Sequence, residues 1–350
     1  MLAKLRFGAS AVCVAVSLVL CLASSAVGGT LELGPEQIVQ ARGGDLFVWG
    51  YSVPSYVDWN NDTLKDLVVG EGGAGHSGKV RVYLNTGTAA APAFGGFSYV
   101  QSNGLDLVCP ALGCLGAFPR VVDWNGNGKK DLIIGQADGT VKVFFNVGAD
   151  TDPTFDGGRL LEVGPPGSKA PIDVGDRATL DIVDWNEDGF SDLVMGALDG
   201  RIRVFLNEGT EGPPSFFIGL VVPSGAGPGD LFVPSGRSSP VVVDLDDDGR
   251  KDLLTGNTNG QLLLYSNQGT DAAPVFSSYG YVTADGVAID LPYTPRSRPS
   301  VCDWTDDGLP DVLIGAQDGK VHLYQGVPEP ATLLLLLAAA PLALRRKKRT

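Results

Sequence analysis

The sequence predicts an all-β fold: a five-bladed β-propeller with four antiparallel strands per blade, its ring closed by the N-terminal strand. Three observations predict it. A nine-residue acidic loop occurs five times, as DWNNDTLKD from Asp58, DWNGNGKKD from Asp123, DWNEDGFSD from Asp184, DLDDDGRKD from Asp244 and DWTDDGLPD from Asp303. Successive loops start 65, 61, 60 and 59 residues apart. Every loop is followed by the same succession of short apolar runs and turns.

The elements of one repeat follow in order. A strand enters the loop at residues 55–57, 120–122, 181–183, 241–243 and 300–302. The last loop aspartate opens a second run: DLVVG from Asp66, DLIIG from Asp131, DLVMG from Asp192, DLLTG from Asp252 and DVLIG from Asp311. These runs are aliphatic or β-branched, short and closed by glycine, so they read as buried strands. Asp138-Gly139, Asp199-Gly200, Asn259-Gly260 and Asp318-Gly319 are tight-hairpin dipeptides. The third strand alternates, as in VRVYLN from Val80 and IRVFLN from Ile202. A Gly- and Pro-containing connection then reaches Phe94, Phe155, Phe216 or Phe276, at the head of the fourth strand. The fifth repeat stops at Gly326 without a fourth strand, while residues 30–40 precede the first loop with no repeat of their own. That segment completes the last blade and leaves no open edge.

The loops are built to wrap a hard cation. Such an ion takes oxygen ligands from one tight loop: side chains at positions 1, 3, 5 and 9 and a backbone carbonyl at position 7. The sets are Asp58, Asn60, Asp62, Leu64 and Asp66; Asp123, Asn125, Asn127, Lys129 and Asp131; Asp184, Asn186, Asp188, Phe190 and Asp192; Asp244, Asp246, Asp248, Arg250 and Asp252; Asp303, Thr305, Asp307, Leu309 and Asp311. Leu64, Lys129, Phe190, Arg250 and Leu309 serve through their carbonyls. A strand follows each loop in place of a helix, and no Glu stands at position 12, so the loop is not an EF-hand. Glycine at position 6 supplies the turn in four copies; the first has Thr63.

On these motifs, residues 30–326 resemble the FG-GAP/VCBS repeat found in integrin α propellers and in many secreted bacterial proteins. The resemblance implies Ca²⁺ at up to five sites. The second loop, with only Asp123 and Asp131 as carboxylates, and the fifth, with Thr305, are expected to bind more weakly than the fourth, which offers four carboxylates.

The chain ends carry addresses. Residues 1–26 place Lys4 and Arg6 before an apolar run and Ala23-Ser24-Ser25-Ala26, the order of a secretory signal peptide. Residues 327–350 read Val327-Pro328-Glu329-Pro330, an apolar stretch, then Arg345-Arg346-Lys347-Lys348-Arg349. As an anchor the stretch is short, giving at most a transient membrane association with its basic end in the cytoplasm. The three parts together resemble a PEP-CTERM sorting signal. That implies an exosortase partner and delivery to the cell surface or extracellular matrix of a bacterium with a Gram-negative-type envelope.

Removing seven basic terminal residues and Glu329 leaves 19 basic against 39 acidic residues, about −20. That balance argues against nucleic acid or anionic membrane as partner. Cys109 and Cys114 flank four residues of an exported connection, and a local disulfide is expected; Cys302 reads as a small buried hydrophobe. Trp59, Trp124, Trp185 and Trp304 share loop position 2, where Leu245 stands in the fourth copy, so they read as packing between blades. His322 takes the place of Arg81, Lys142 and Arg203 on the third strands and reads as a solvated strand residue.

The function expected is non-enzymatic: adhesion, scaffolding or recognition of an extracellular glycan or protein. The alternative is a polysaccharide-active lyase or hydrolase using a propeller face. First and third connections share one face, so the ligand is expected on the other. There the expanded 72–78 hairpin and the 105–118 connection lie, and Glu71, His76 and Leu112 are the expected contacts. The integrin resemblance implies the same side.

Overall fold

The computed structural model describes residues 32–328 apart from 114, 210–213, 247 and 292–294. The leader and the tail from 329 onward, where the two address signals were expected, lie outside the described residues.

Five antiparallel four-strand arrangements form a propeller. From the inside outward, blade 1 is Val53–Val57, Asp66–Gly73, His76–Tyr83 and Ser98–Tyr99. Blade 2 is Ala117–Val122, Asp131–Gln136, Val141–Phe144 and Arg159–Leu160. Blade 3 is Thr179–Val183, Asp192–Gly196, Ile202–Asn207 and Phe216–Val221. Blade 4 is Ser239–Val243, Asp252–Gly256, Leu262–Tyr265 and Gly280–Tyr281. Blade 5 is Arg298–Cys302, Asp311–Gly315, Val321–Tyr324 and, from the other end of the chain, Gln37–Ile38. The N-terminal strand pairs Gln37 with Leu323 and Ile38 with His322, closing the ring as the orphan-strand argument requires.

Register is the same in every blade. The residue before each loop faces loop position 9: Val57 with Asp66, Val122 with Asp131, Val183 with Asp192, Val243 with Asp252 and Cys302 with Asp311. The glycine that closes each second strand has a steric cause. A Cβ on Gly70, Gly135, Gly196, Gly256 or Gly315 would come within 2.2–2.5 Å of a backbone oxygen at the start of the next blade. Only a residue without a side chain lets adjacent blades approach this closely. The core lies in the seams, as five buried aliphatic and aromatic clusters.

Two features differ from the expectation. Outer strands are two residues long except in blade 3; in blades 1 and 2 the leading Phe precedes the strand and makes isolated bridges, as Phe94 does with Asn85 and Ala41. After each outer strand the chain also makes a small hairpin that reaches the next blade. Its N–H donates to the carbonyl of the next blade's leading residue: Arg42 to Phe94 (3.0 Å), Asn103 to Phe155 (2.9 Å), Gly164 to Phe216 (3.0 Å) and Gly225 to Phe276 (2.8 Å). At the fifth seam Asp285 donates to Leu33 (2.9 Å), so Leu33 of the N-terminal segment stands where the other blades have Phe.

Candidate metal centres and ligand face

Each loop is held open from within by backbone donors. Position 1 takes two of them. In loop 1, Asp58 accepts the N–H groups of Asp62 (3.1 Å) and Thr63 (2.9 Å); in loop 4, Asp244 accepts those of Asp248 (3.2 Å) and Gly249 (2.9 Å). The same pair recurs on Asp123, Asp184 and Asp303. Position 5 accepts the N–H of position 7, as Asp62 does from Leu64 (2.8 Å) and Asp248 from Arg250 (2.9 Å). The bond common to the loops uses only the backbone at position 7, which explains why its side chains are unrelated.

Position 9 ties the loop to the blade. Asp66 accepts the N–H of Trp59 (2.9 Å) on one oxygen and of Asn85 (2.7 Å) on the other. Asp131, Asp192, Asp252 and Asp311 repeat this, each bridging loop position 2 and the end of the third strand. All five are buried, and burial pushes their carboxyls above the ordinary range. Asp252 reaches about 6: burial dominates, neighbouring Asp246 and Asp248 add to it, and the N–H donors of Asn267 and Leu245 work against it.

Thr63 at position 6 has a φ of 78°, beside 83–90° for Gly128, Gly189, Gly249 and Gly308. The first loop therefore keeps the shape of the others, with a β-branched residue in a conformation it resists.

In loop 4 the oxygens converge. In loop 4 one carboxylate oxygen from each of Asp244, Asp246 and Asp252 lies within 4.8 Å of the others. Three carboxylates so close, one of them buried and raised by its neighbours, fit a divalent cation. In loops 1 and 3 position 3 is an amide, and Asn60 and Asn186 donate to Asp62 (2.9 Å) and Asp188 (3.0 Å). In loop 4 the Arg250 guanidinium pairs with Asp248.

Residues 184–255 match a family model described as an FG-GAP-like repeat. The matched span holds loops 3 and 4 entire, and the other three loops repeat its hydrogen bonds. Together with the five-bladed ring this supports an FG-GAP propeller. Among solved structures, a Tc holotoxin pore of Photorhabdus luminescens is similar at 15% identity and a TM-score of 0.39, over 85% of this chain and 15% of that one. The chain thus spans about 15% of that protein's length, and a likeness of this size carries no argument.

Position-2 tryptophans pack across the seams of the ring. Ring centroids lie 5.8 Å apart for Trp59–Phe155, 6.1 Å for Trp124–Phe216 and Trp185–Phe276, and 5.7 Å for Trp304–Phe94.

At the opposite end of the strands, the 72–78 hairpin and the 105–118 connection meet. Ala74 donates to the Gly113 carbonyl (2.7 Å), and Gly78 and Cys109 exchange backbone bonds. His76 and Leu112 are exposed there. Glu71 is not: it is 3% exposed, paired with Arg81 at 2.5 Å, and accepts from Tyr99 Oη (3.0 Å). Its carboxylate points between strands toward a cation on the third strand, so it is a structural ion pair and not a ligand contact. The sequence reading also missed Trp49 and Phe47. Trp49 is 55% exposed, stacks on His76 at 5.4 Å and takes the edge of Phe47 at 5.4 Å.

Cys109 is a buried thiol in the seam with Val80, Ala117 and Leu132; Cys114, its expected disulfide partner, lies outside the described residues. One further expectation is corrected. His322 is 4% exposed, with Nδ1 at 2.5 Å from Glu36 and Nε2 at 3.4 Å from Asp318. The ring-closing segment covers it. Burial disfavours its charged form, but the bonds to Asp318 and Glu36 outweigh that and hold it above the ordinary histidine range. Cys302 is a free, partly buried thiol against the seam between blades 5 and 1.

Proposed function

We propose that this chain is an exported, calcium-stabilised FG-GAP propeller that recognises an extracellular glycan or protein and performs no chemistry on it. The observation that carries the reading is the division of labour between the two faces. One face repeats the same loop five times, and in loop 4 three carboxylates converge. The other is irregular and presents Phe47, Trp49 and His76 as one aromatic surface beside exposed Val108 and Leu112. Exposed apolar surface on a rigid hairpin marks an interaction site, and tryptophan is the side chain most often dominant at such sites.

Calcium is the resident ion of this reading. Residues at positions 1, 3, 5 and 9 and the position-7 carbonyl would hold it, and it would neutralise carboxylates that repel one another. Display at the cell surface or in the matrix, with the tail processed by an exosortase, is the matching localisation. It rests on the order of signals in residues 327–350.

The test is a binding screen of the mature protein on glycan arrays and envelope extracts, followed by the triple variant Trp49→Ala, His76→Ala, Leu112→Ala. Affinity should fall at least tenfold with an unchanged melting temperature. Undiminished affinity rejects this face as the ligand site. In a host with an exosortase, an intact C-terminus on the surface protein rejects the processing.

A further inference from the structure

One seam of the five is filled differently. At four seams the position-2 tryptophan lies on the leading phenylalanine of the next blade. At the seam between blades 4 and 5 both aromatics are missing: Leu245 holds position 2 and Leu33 holds the phenylalanine position, in one buried cluster. Leu33 is placed there by the same bridges as its counterparts, to Gly326 and to Ala284, as Phe94 bridges Asn85 and Ala41.

Two leucines do not fill the space of an indole on a phenyl ring. A pocket of about 250 Å³ opens beside Leu245, on the blade 4 wall of this seam. Its floor is Leu245, Leu264 and Val282, Tyr281 forms a wall, and Asp246 and Ser266 stand at the polar side. Repeat alignment identifies what belongs in it. Leu264 and Val282 correspond to Val82 and Val100 of blade 1, and those two valines share a buried cluster with Trp59. The rim is widened by a second substitution, because Ser266 stands where blades 1 and 3 carry Leu84 and Leu206. The Ser266 hydroxyl donates to Asp246 Oδ2 at 3.3 Å, so the hydroxyl oxygen stays able to accept, and one Asp246 oxygen can serve the loop 4 ion while the other accepts from a ligand.

We propose that this pocket binds a free small molecule built on one aromatic ring with a hydrogen-bond donor, of the size of indole or phenol. The ring takes the volume that Trp59 fills in blade 1, resting on Leu245, Leu264 and Val282 against Tyr281. The N–H or O–H donates to Asp246 or Ser266. Apolar cavities of this order take up single aromatic rings, and the volume is below the roughly 300–1,000 Å³ of sites for larger ligands. The site lies on the loop side of the ring, does not involve the Trp49 surface, and stands or falls without it.

Indole, benzene and N-acetyltryptophanamide are offered to the calcium-loaded full chain, with binding read by saturation-transfer NMR and titration calorimetry. Indole is expected to bind with a millimolar or tighter Kd, and benzene at least tenfold more weakly for want of the donor. Leu245→Trp supplies the missing indole from within and should abolish the indole signal while leaving the melting temperature equal or higher. Should that variant fold poorly, Ser266→Leu narrows the rim with the residue two other blades use, and should weaken indole at least tenfold. Indole binding that persists at full strength in both variants, or is absent from the parent protein, overturns the assignment. Binding of the capped tryptophan but not of free indole also overturns it, since the ligand would then be a peptide side chain.

Discussion

Replacing Asp131 by Ala separates two tasks that the position-9 carboxylates combine. In a purely ion-binding reading, its loss matters only when calcium is present, and loop 2 is the loop with fewest carboxylates. In the structure Asp131 is fully buried and accepts two backbone donors, Trp124 N–H at 3.1 Å and Asn146 N–H at 2.8 Å. Each buried N–H left without an acceptor costs about 1–3 kcal/mol, so the pair costs about 2–6 kcal/mol. Removing a carboxyl that burial already holds above its ordinary range offsets part of this, which places the expectation in the lower half of the interval. At roughly 2–4 °C per kcal/mol, the melting temperature should fall by about 4–16 °C. Asp131→Asn keeps one acceptor oxygen and should lose roughly half as much. The assay is urea and thermal unfolding with calcium and, decisively, with EDTA. Equal stability of parent and Asp131→Ala in EDTA refutes the anchoring role and leaves ion binding as the carboxylate's sole task.

Calcium itself should raise stability by about 1.4 kcal/mol per site at tenfold its Kd. Chelation lowers the melting temperature, and Asp248→Ala should lose more of the calcium-dependent part than Asn127→Ala; no response to EDTA sinks the metal reading. Thr63→Gly should stabilise by about 1–2 kcal/mol with or without calcium, because it relieves a left-handed φ at a β-branched residue; a lower melting temperature contradicts this. For pH the sign is set by Asp252, whose folded value near 6 lies above its ordinary 3.8. Its contribution is fully present below the ordinary value and lost as pH rises through 6. EDTA-treated protein should therefore gain stability from about pH 7.5 to 5.5, and calcium should bind more weakly over the same fall; His322, held above its ordinary range by Asp318 and Glu36, adds to the gain with the same sign, so Asp252→Asn should reduce the first trend without abolishing it. Carboxyls held below the ordinary range, such as Asp150 and Asp199, act at lower pH and do not reverse it. A variant lacking residues 30–40 should aggregate or partly unfold, since the Val321–Tyr324 edge loses its partner; full solubility and stability argue against closure.

The parts of the fold legible in the sequence are those fixed by short-range pattern. Loop positions 1, 5 and 9, the strands on either side and the closing glycine are all set within about fifteen residues of one another, so repetition exposes them. Ring closure was legible by counting, because one repeat lacks a strand and one strand lacks a repeat. What escaped depends on partners far away in the chain. Alternation places His322 beside solvent, but Glu36 arrives from 286 residues earlier to cover it. Glu71 looks like a loop-tip acid until Arg81 and Tyr99 turn out to enclose it. Trp49 and Phe47 sit between the closing strand and the first blade, where no repeat marks them. The change to Leu245 made sense as tolerance for any bulky apolar residue; its match to Leu33 is visible only once the ring is shut.

The closing strand also decides how the molecule carries load. Val327 N–H meets the Glu32 carbonyl at 2.9 Å, and Gly34 N–H meets that of Gln325 at 2.8 Å, so the chain enters and leaves the ring side by side. The two segments run antiparallel. Tension between residues 32 and 328 therefore parts their hydrogen bonds one after another from the open end, without the shared resistance of a sheared pair. Blade 5 yields first and at low force, and the four blades made of continuous chain stay folded while the ring opens between Leu33 and Leu245.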